Sequence, residues 1–221
     1  MTIRIREYIE GGDYIEREID PLMSRIGKQR RRVFSFCEAL KDKDLDFIMI
    51  SLTYKVGDLF QLRDITNFIK RLKRVREVLA YTWVLEMQAR GVPHYHLIVA
   101  VKHGVKIPMP DKIGLWKKGF TKVEKARTIW YVASYTGKEY QKQGLPKFFH
   151  MYAVWISEKI LENLNSYTKW NLKKSTYPCW LVEILDSRFD WLGEGVSVER
   201  CKGGGWWVDN MKFDSPFVVL F

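Results

Sequence analysis

Two stretches of the chain alternate apolar and polar side chains with a period of two, and a glycine and a proline lie between them. On an extended backbone every second side chain points to the same side. Trp83, Leu85, Met87, Tyr95, Leu97, Val99 and Val101 then make one continuous apolar face. The reverse face carries Glu86, His94 and His96. The two strands are expected at about 81–88 and 94–101. A hairpin through Ala89-Arg90-Gly91-Val92-Pro93 is the economical connection between them.

His94 and His96 fall roughly 6.5–7 Å apart on their face. If the hairpin turns around Arg90–Gly91, Glu86 lies opposite them with matching parity. One carboxylate and two imidazoles suit Mg²⁺, Mn²⁺ or Zn²⁺. Three protein ligands leave positions open for water or a phosphate oxygen, as a catalytic site requires. The same residues are compatible with a His-x-His on an exposed strand that binds no metal, and spacing leaves both readings open. His103 and His150 lack comparable partners and read as ordinary histidines.

The segment Phe47–Tyr54 reads as a strand. Its even positions Ile48, Ile50, Leu52 and Tyr54 are apolar, and Ser51 and Thr53 turn away from that core. Leu62, Ile65, Phe68, Ile69, Leu72, Val75 and Leu79 form a helical stripe, with Lys70, Arg71, Lys73, Arg74 and Arg76 mainly on its other, solvated faces. Residues 21–40 read as a basic helix, and the glycine- and proline-containing stretch 104–120 as an irregular loop. A helix is expected from about Val123 to Tyr140, packing Val123, Ala126, Ile129, Val132, Ala133 and Thr136 on the sheet. On that helix Tyr131 and Tyr135, four residues apart, share a face with about 5–6 Å between Cβ atoms, and Lys138 follows one turn later. Two half-buried aromatics at helical spacing are the alternative reading of this pair. Further on, a helix near Ser157–Asn165 and strands at Trp180–Asp186, Trp206–Val208 and Phe217–Phe221 are expected. The layout is a basic N-terminal helical segment (1–46), a core (47–150) and an α/β extension (151–221), forming one domain overall.

The formal net charge is +11, and a basic surplus of this size favours a polyanionic partner. Basic residues cluster at Arg25–Arg32, Lys70–Arg76 and Lys102–Arg127, flanking the segments just described. No apolar run approaches the roughly 20 residues that span a bilayer, so a cytoplasmic protein without membrane contact is expected. Cys37, Cys179 and Cys201 are far apart and odd in number, which argues against a disulfide framework or a Cys-rich zinc site. The chain has no Gly-x-x-x-x-Gly-Lys-Ser/Thr pattern of a nucleotide-binding P-loop.

His94-Tyr95-His96, followed by Tyr131-Val-Ala-Ser-Tyr135-Thr-Gly-Lys138, resembles the signature of the HUH endonuclease superfamily. The tyrosine segment is similar to that of initiators from rolling-circle plasmids and single-stranded-DNA phages. Phe47–Tyr54, with Ser51 and Thr53, resembles the family's first strand motif, and the three occur in the family's order over roughly residues 47–143. The resemblance implies an α+β fold, a central antiparallel β-sheet with flanking helices mostly on one face (the ferredoxin-like palm). It also implies rolling-circle replication initiation in a small plasmid or virus. There a metal-assisted tyrosine cuts one strand at a replication origin, possibly at a hairpin, and keeps a 5′-phosphotyrosine for rejoining. Glu86, His94 and His96 would hold Mn²⁺ or Mg²⁺, and host helicase and polymerase would be partners. Tyr135 is assigned as the nucleophile, because family members often carry a lysine three residues after each tyrosine. Tyr135 has Lys138, whereas Tyr131 has Ser134 and is a second nucleophile or a DNA-positioning residue. Arg30, Arg31, Arg32, Ser51, Thr53 and Lys142 are expected DNA contacts. A single-strand transposase or a relaxase would use the same chemistry. A non-catalytic nucleic-acid-binding module is the alternative of a different class, separated from the rest by its forming no covalent adduct.

Overall fold

The computed structural model describes residues 3–8, 14–58, 60–61, 63–88, 91–136, 150–178, 181–183, 185, 196–200, 206–210 and 217–220. Contacts group the chain into two units, residues 29–172 and residues 1–28 with 173–221. The larger unit is built on a five-stranded antiparallel sheet. Its strands are β3 (Asp46–Thr53), β4 (Ala80–Met87), β5 (Pro93–Val101), β6 (Thr121–Lys125) and β7 (Tyr152–Ile156). They lie side by side in the order β6-β3-β5-β4-β7. The fold is α+β, as expected. The fifth strand comes from beyond residue 150.

Both faces of this sheet are buried. On one face Ile48, Ile50, Leu52, Trp83, Leu85, Tyr95, Leu97 and Val99 pack against Ile65, Phe68, Ile69 and Leu72. Those four belong to α2 (Asp64–Val75) and recur at i, i+3, i+4 and i+7, the spacing of an amphipathic helix. Val75 and Leu79, expected on the same stripe, fall elsewhere. Val75 is exposed, and Leu79 lies past the helix end at the approach to β4. Leu62, the first residue of the expected stripe, lies outside the described residues. The loop 104–120 is more than a connection: it supplies Ile107, Leu115 and Trp116 to this core. Trp116 Nε1 donates to the Thr53 carbonyl at 3.1 Å.

The other face packs Met49, Ala80, Val84, Ile98 and Ala100 against Val33, Phe36, Cys37 and Leu40. These four lie on α1 (Pro21–Leu40), the helix read at 21–40. Ile129 and Val132 of a 3₁₀ helix (Ile129–Tyr135) and Ile160 of α3 (Glu158–Glu162) join them, with Leu172 of α4 (Ser166–Lys174). Burial pushes the Cys37 thiol up to about 12, with the Glu38 carboxylate adding to it, so this cysteine is inert packing.

The smaller unit holds a second antiparallel sheet. Its strands are β1 (Ile3–Tyr8), β2 (Tyr14–Ile19), β8 (Val196–Arg200), β9 (Trp206–Asn210) and β10 (Phe217–Leu220). They run in the order β2-β1-β10-β9-β8. The last two in sequence match the expected C-terminal strands. β1 and β2 precede α1 in a segment expected to be helical. Residues 181–183 are helical where a strand was expected. Among the described residues no helix is long and apolar enough to cross a membrane.

At one end of the larger sheet Asp46 ties three elements together. Its carboxylate meets Lys125 Nζ at 2.6 Å, His103 Nδ1 at 3.0 Å and the Gly104 amide at 3.1 Å. Lys125, then Gly104, then His103 hold the Asp46 carboxyl down to about 2. Asp44, 2.6 Å from His103 Nε2, and Asp46 raise the His103 pKa. The raised value means that the stabilisation is fully present below the unfolded pKa of about 6.5 and is lost as pH rises through the higher folded value. The thermal midpoint should therefore fall as pH rises above about 6.5. That slope should flatten in His103→Gln, as scanning calorimetry across a pH series would show.

Candidate active site

The register of three strands sets the site. Thr53 of β3 and Glu86 of β4 both pair with His94 of β5, and Ser51 pairs with His96. On the outer side of β3, Ser51 pairs with Lys122 and Met49 with Glu124 of β6. Because side chains alternate, all of these polar groups emerge on the face that packs α1 and the 3₁₀ helix. Val84 and Ile98 continue that face into the core, and the polar groups occupy its open end.

The hairpin turns where the sequence placed it. Gln88 N bonds to Val92 O, Gly91 N bonds to Gln88 O, and Gly91 takes φ 73°, a left-handed value that favours glycine. Glu86 and His96 are buried, and His96 Nε2 lies 3.1 Å from Glu86 Oε2. His94 Nδ1 lies 2.7 Å from Thr53 Oγ1. The two imidazole centroids are 4.4 Å apart.

The expected helix from Val123 to Tyr140 is corrected by the structure. Residues 121–125 form the edge strand β6, and the helix begins only at Ile129, as a 3₁₀ helix. The Thr128 side chain caps it by accepting from the Trp130 amide. Tyr131 and Tyr135 nevertheless come together as the sequence anticipated. Tyr135 donates its hydroxyl proton to the Tyr131 oxygen at 3.0 Å. The Tyr135 ring stacks on His96 with centroids 3.6 Å apart and planes 15° from parallel. Burial is the first cause pushing the Tyr135 phenol well above its usual value. The bond to Tyr131 and the charges of Glu86 and Glu124 push in the same direction. Tyr131 is 47% exposed.

A cleft of about 300 Å³ opens over this arrangement, lined by Ser51, Thr53, His94, Phe120, Thr121, Lys122, Glu124, Tyr131 and Tyr135. Lys122 and Glu124 pair at 2.7 Å. The sequence reading missed both, because an edge strand with a single apolar residue, Val123, looked like the start of a helix. Among the other expected DNA contacts, Arg30 lies over the Phe34 ring, and Arg32 donates to the Leu172 carbonyl within the fold. Lys138 and Lys142 lie outside the described residues.

Among the described residues no three His, Cys, Asp or Glu side chains are spaced as a ready metal cluster. Glu86 is turned to His96 and His94 to Thr53. The donor chemistry still fits a divalent ion: a carboxylate and two imidazoles share one face of adjacent strands. His96 Nδ1 is buried with no hydrogen-bond partner among the described residues.

Residues 47–143 match the model of a family described as replication-associated protein ORF2/G2-P. The match runs from β3 through the tyrosine pair, under half of the 221-residue chain, and supports a role in DNA replication. No curated protein and no solved structure matches the chain.

Gly119 presses the loop that leads into Phe120 against the end of β3. A Cβ there would collide with the Thr53 carbonyl oxygen and the backbone at Tyr54 and Lys55. That close approach lets Thr53 N bond to Phe120 O at 2.9 Å and Lys55 N to Lys118 O at 2.7 Å. Gly119→Ala should cost about 1–3 kcal/mol, as overpacking does. Amide exchange at Thr53 and Lys55 should accelerate, while the amides of β4 stay protected.

Proposed function

We propose that the chain is an HUH-type initiator of rolling-circle replication, cutting and rejoining one DNA strand through a covalent link to Tyr135. The observation that carries this reading is the stacking of Tyr135 on His96. It sets the phenol beside the buried His96–Glu86 pair, with His94 lining the same open cleft, within the segment that matches a replication-associated family.

In the proposed step the Tyr135 oxygen attacks a backbone phosphorus. The bond from phosphorus to the 3′-oxygen breaks as the bond to the tyrosine forms. The phenolic proton passes along the hydrogen bond to Tyr131, which releases its own proton to water, and the departing 3′-oxygen takes a proton from water. One phosphodiester replaces another, so the link can be reversed onto a 3′-hydroxyl without a nucleotide cofactor. Ser51 and Thr53 offer hydroxyl donors to phosphate oxygens, and Lys122 offers a cation in the same cleft. Stacking on His96 restrains the attacking ring, which reduces the freedom lost on reaching the reactive geometry.

As it stands, the Tyr135 phenol is a weak nucleophile, because burial and two carboxylates disfavour its ionisation. A divalent ion held by Glu86, His94 and His96 would supply the positive charge that favours the phenolate and polarises the phosphate. Glu86 would then exchange its bond to His96 for the ion.

Nicking of single-stranded origin DNA should require Mn²⁺ or Mg²⁺ and should stop in EDTA. His96→Ala should lose cleavage by about a hundredfold or more, the scale of losing one preorganised electrostatic group, and should weaken Mn²⁺ binding in calorimetry while the circular dichroism spectrum is kept. Undiminished cleavage in EDTA would overturn the metal assignment.

A further inference from the structure

Phe120 is 73% exposed, although its main chain is firmly held within the loop that bears it. Its carbonyl accepts from Thr53, Gly119 before it is pressed against β3, and Thr121 after it bonds to Asp111. A single exposed apolar side chain is ordinary on a protein surface. This one stands on the wall of the cleft that holds Tyr131, Tyr135 and His94. Cationic side chains flank it along the chain. Lys117, three residues before it, is exposed, and Lys122, two residues after it, is paired with Glu124 in the lining of the same cleft. Lys118 lies 3.8 Å from Asp64.

We propose that Phe120 is a stacking platform for an unpaired nucleobase next to the phosphate presented to Tyr135. This rests on the reading of the cleft as a strand-transfer site and names how that site would grip its substrate. A rigid backbone with an exposed ring suits stacking, because little main-chain freedom remains to be lost when a base lands on it. Every base has a π-face, so the grip is tolerant of sequence, and it demands a single strand because paired bases are already stacked. The neighbouring lysines meet the phosphates on either side of the base.

The test is a cycle between the protein and its ligand. Binding of the full chain is measured by fluorescence anisotropy to a thymidylate oligomer of about 20 nucleotides and to an abasic phosphodiester of the same length, using the wild type, Phe120→Ala, Phe120→Leu and Phe120→Trp. The wild type should prefer the base-bearing strand. Phe120→Ala should lose about tenfold in affinity for thymidylate and nothing for the abasic strand. Phe120→Trp should restore the preference, and Phe120→Leu should not, since bulk without a π-face does not stack. Equal losses on both strands, or no loss on either, would overturn the proposal. An absence of covalent adduct in the wild type would count against the strand-transfer reading alone, because the anisotropy difference is read on uncleaved strands.

Discussion

A slip of one residue between β5 and its neighbours would turn every side chain of that strand to the opposite face. His94 and His96 would enter the core beside α2, and Tyr95, Leu97 and Val99 would be driven into the site. What prevents this is burial on both sides. Tyr95, Leu97 and Val99 sit in one cluster, Ile98 and Ala100 in the other, and all are almost fully enclosed. The catalytic-looking face is thus a consequence of packing. The polar residues emerge at the end of the strand because apolar ones have filled the rest of that face. Thr53, Ser51, Glu86, Lys122 and Glu124 take their places through the same pairing.

That arrangement explains what could be read from the sequence. Alternation at His94-Tyr95-His96-Leu97 marks the faces of β5, and the unbroken apolar run to Val101 reflects a strand buried on both sides. The Tyr131–Tyr135 spacing survived the change from α- to 3₁₀-helix, since the two hydroxyls still meet. The edge strand β6 was illegible for a physical reason. Thr-Lys-Val-Glu-Lys carries one apolar side chain, and its strand character comes from main-chain bonds to β3, about 70 residues earlier in the sequence, which no local pattern encodes. The run Val123, Ala126, Ile129 imitated a helical stripe, and tertiary pairing overrode it. Lys122 and Glu124 were lost to view with β6. Hydrophobic periodicity likewise ran past the end of α2: Val75, its last residue, is exposed, and Leu79 keeps the spacing after the backbone has turned extended at Arg76.

The electrostatics of the cleft form a second theme. Two carboxylates, Glu86 and Glu124, face the Tyr135 phenol, and both oppose its ionisation. Lys122 offsets Glu124 directly. Glu86 lies 3.1 Å from His96 Nε2, buried with it. On the proposed reading, a phenol held neutral until positive charge arrives would be protected from unproductive chemistry. Its activity would be tied to the loading of the Glu86–His94–His96 face and to the approach of DNA.

The central claim is that Tyr135 becomes bonded to DNA. The direct measurement is peptide mapping by mass spectrometry of the protein after reaction with single-stranded origin DNA and Mn²⁺, beside the Tyr135→Phe and Tyr131→Phe variants. The account predicts a phosphonucleotide adduct on the peptide containing Tyr135. The adduct should be absent in Tyr135→Phe, which keeps its DNA binding, and present after the first cleavage in Tyr131→Phe. An adduct confined to Tyr131, or tight binding of origin DNA with no adduct on either tyrosine, would contradict it.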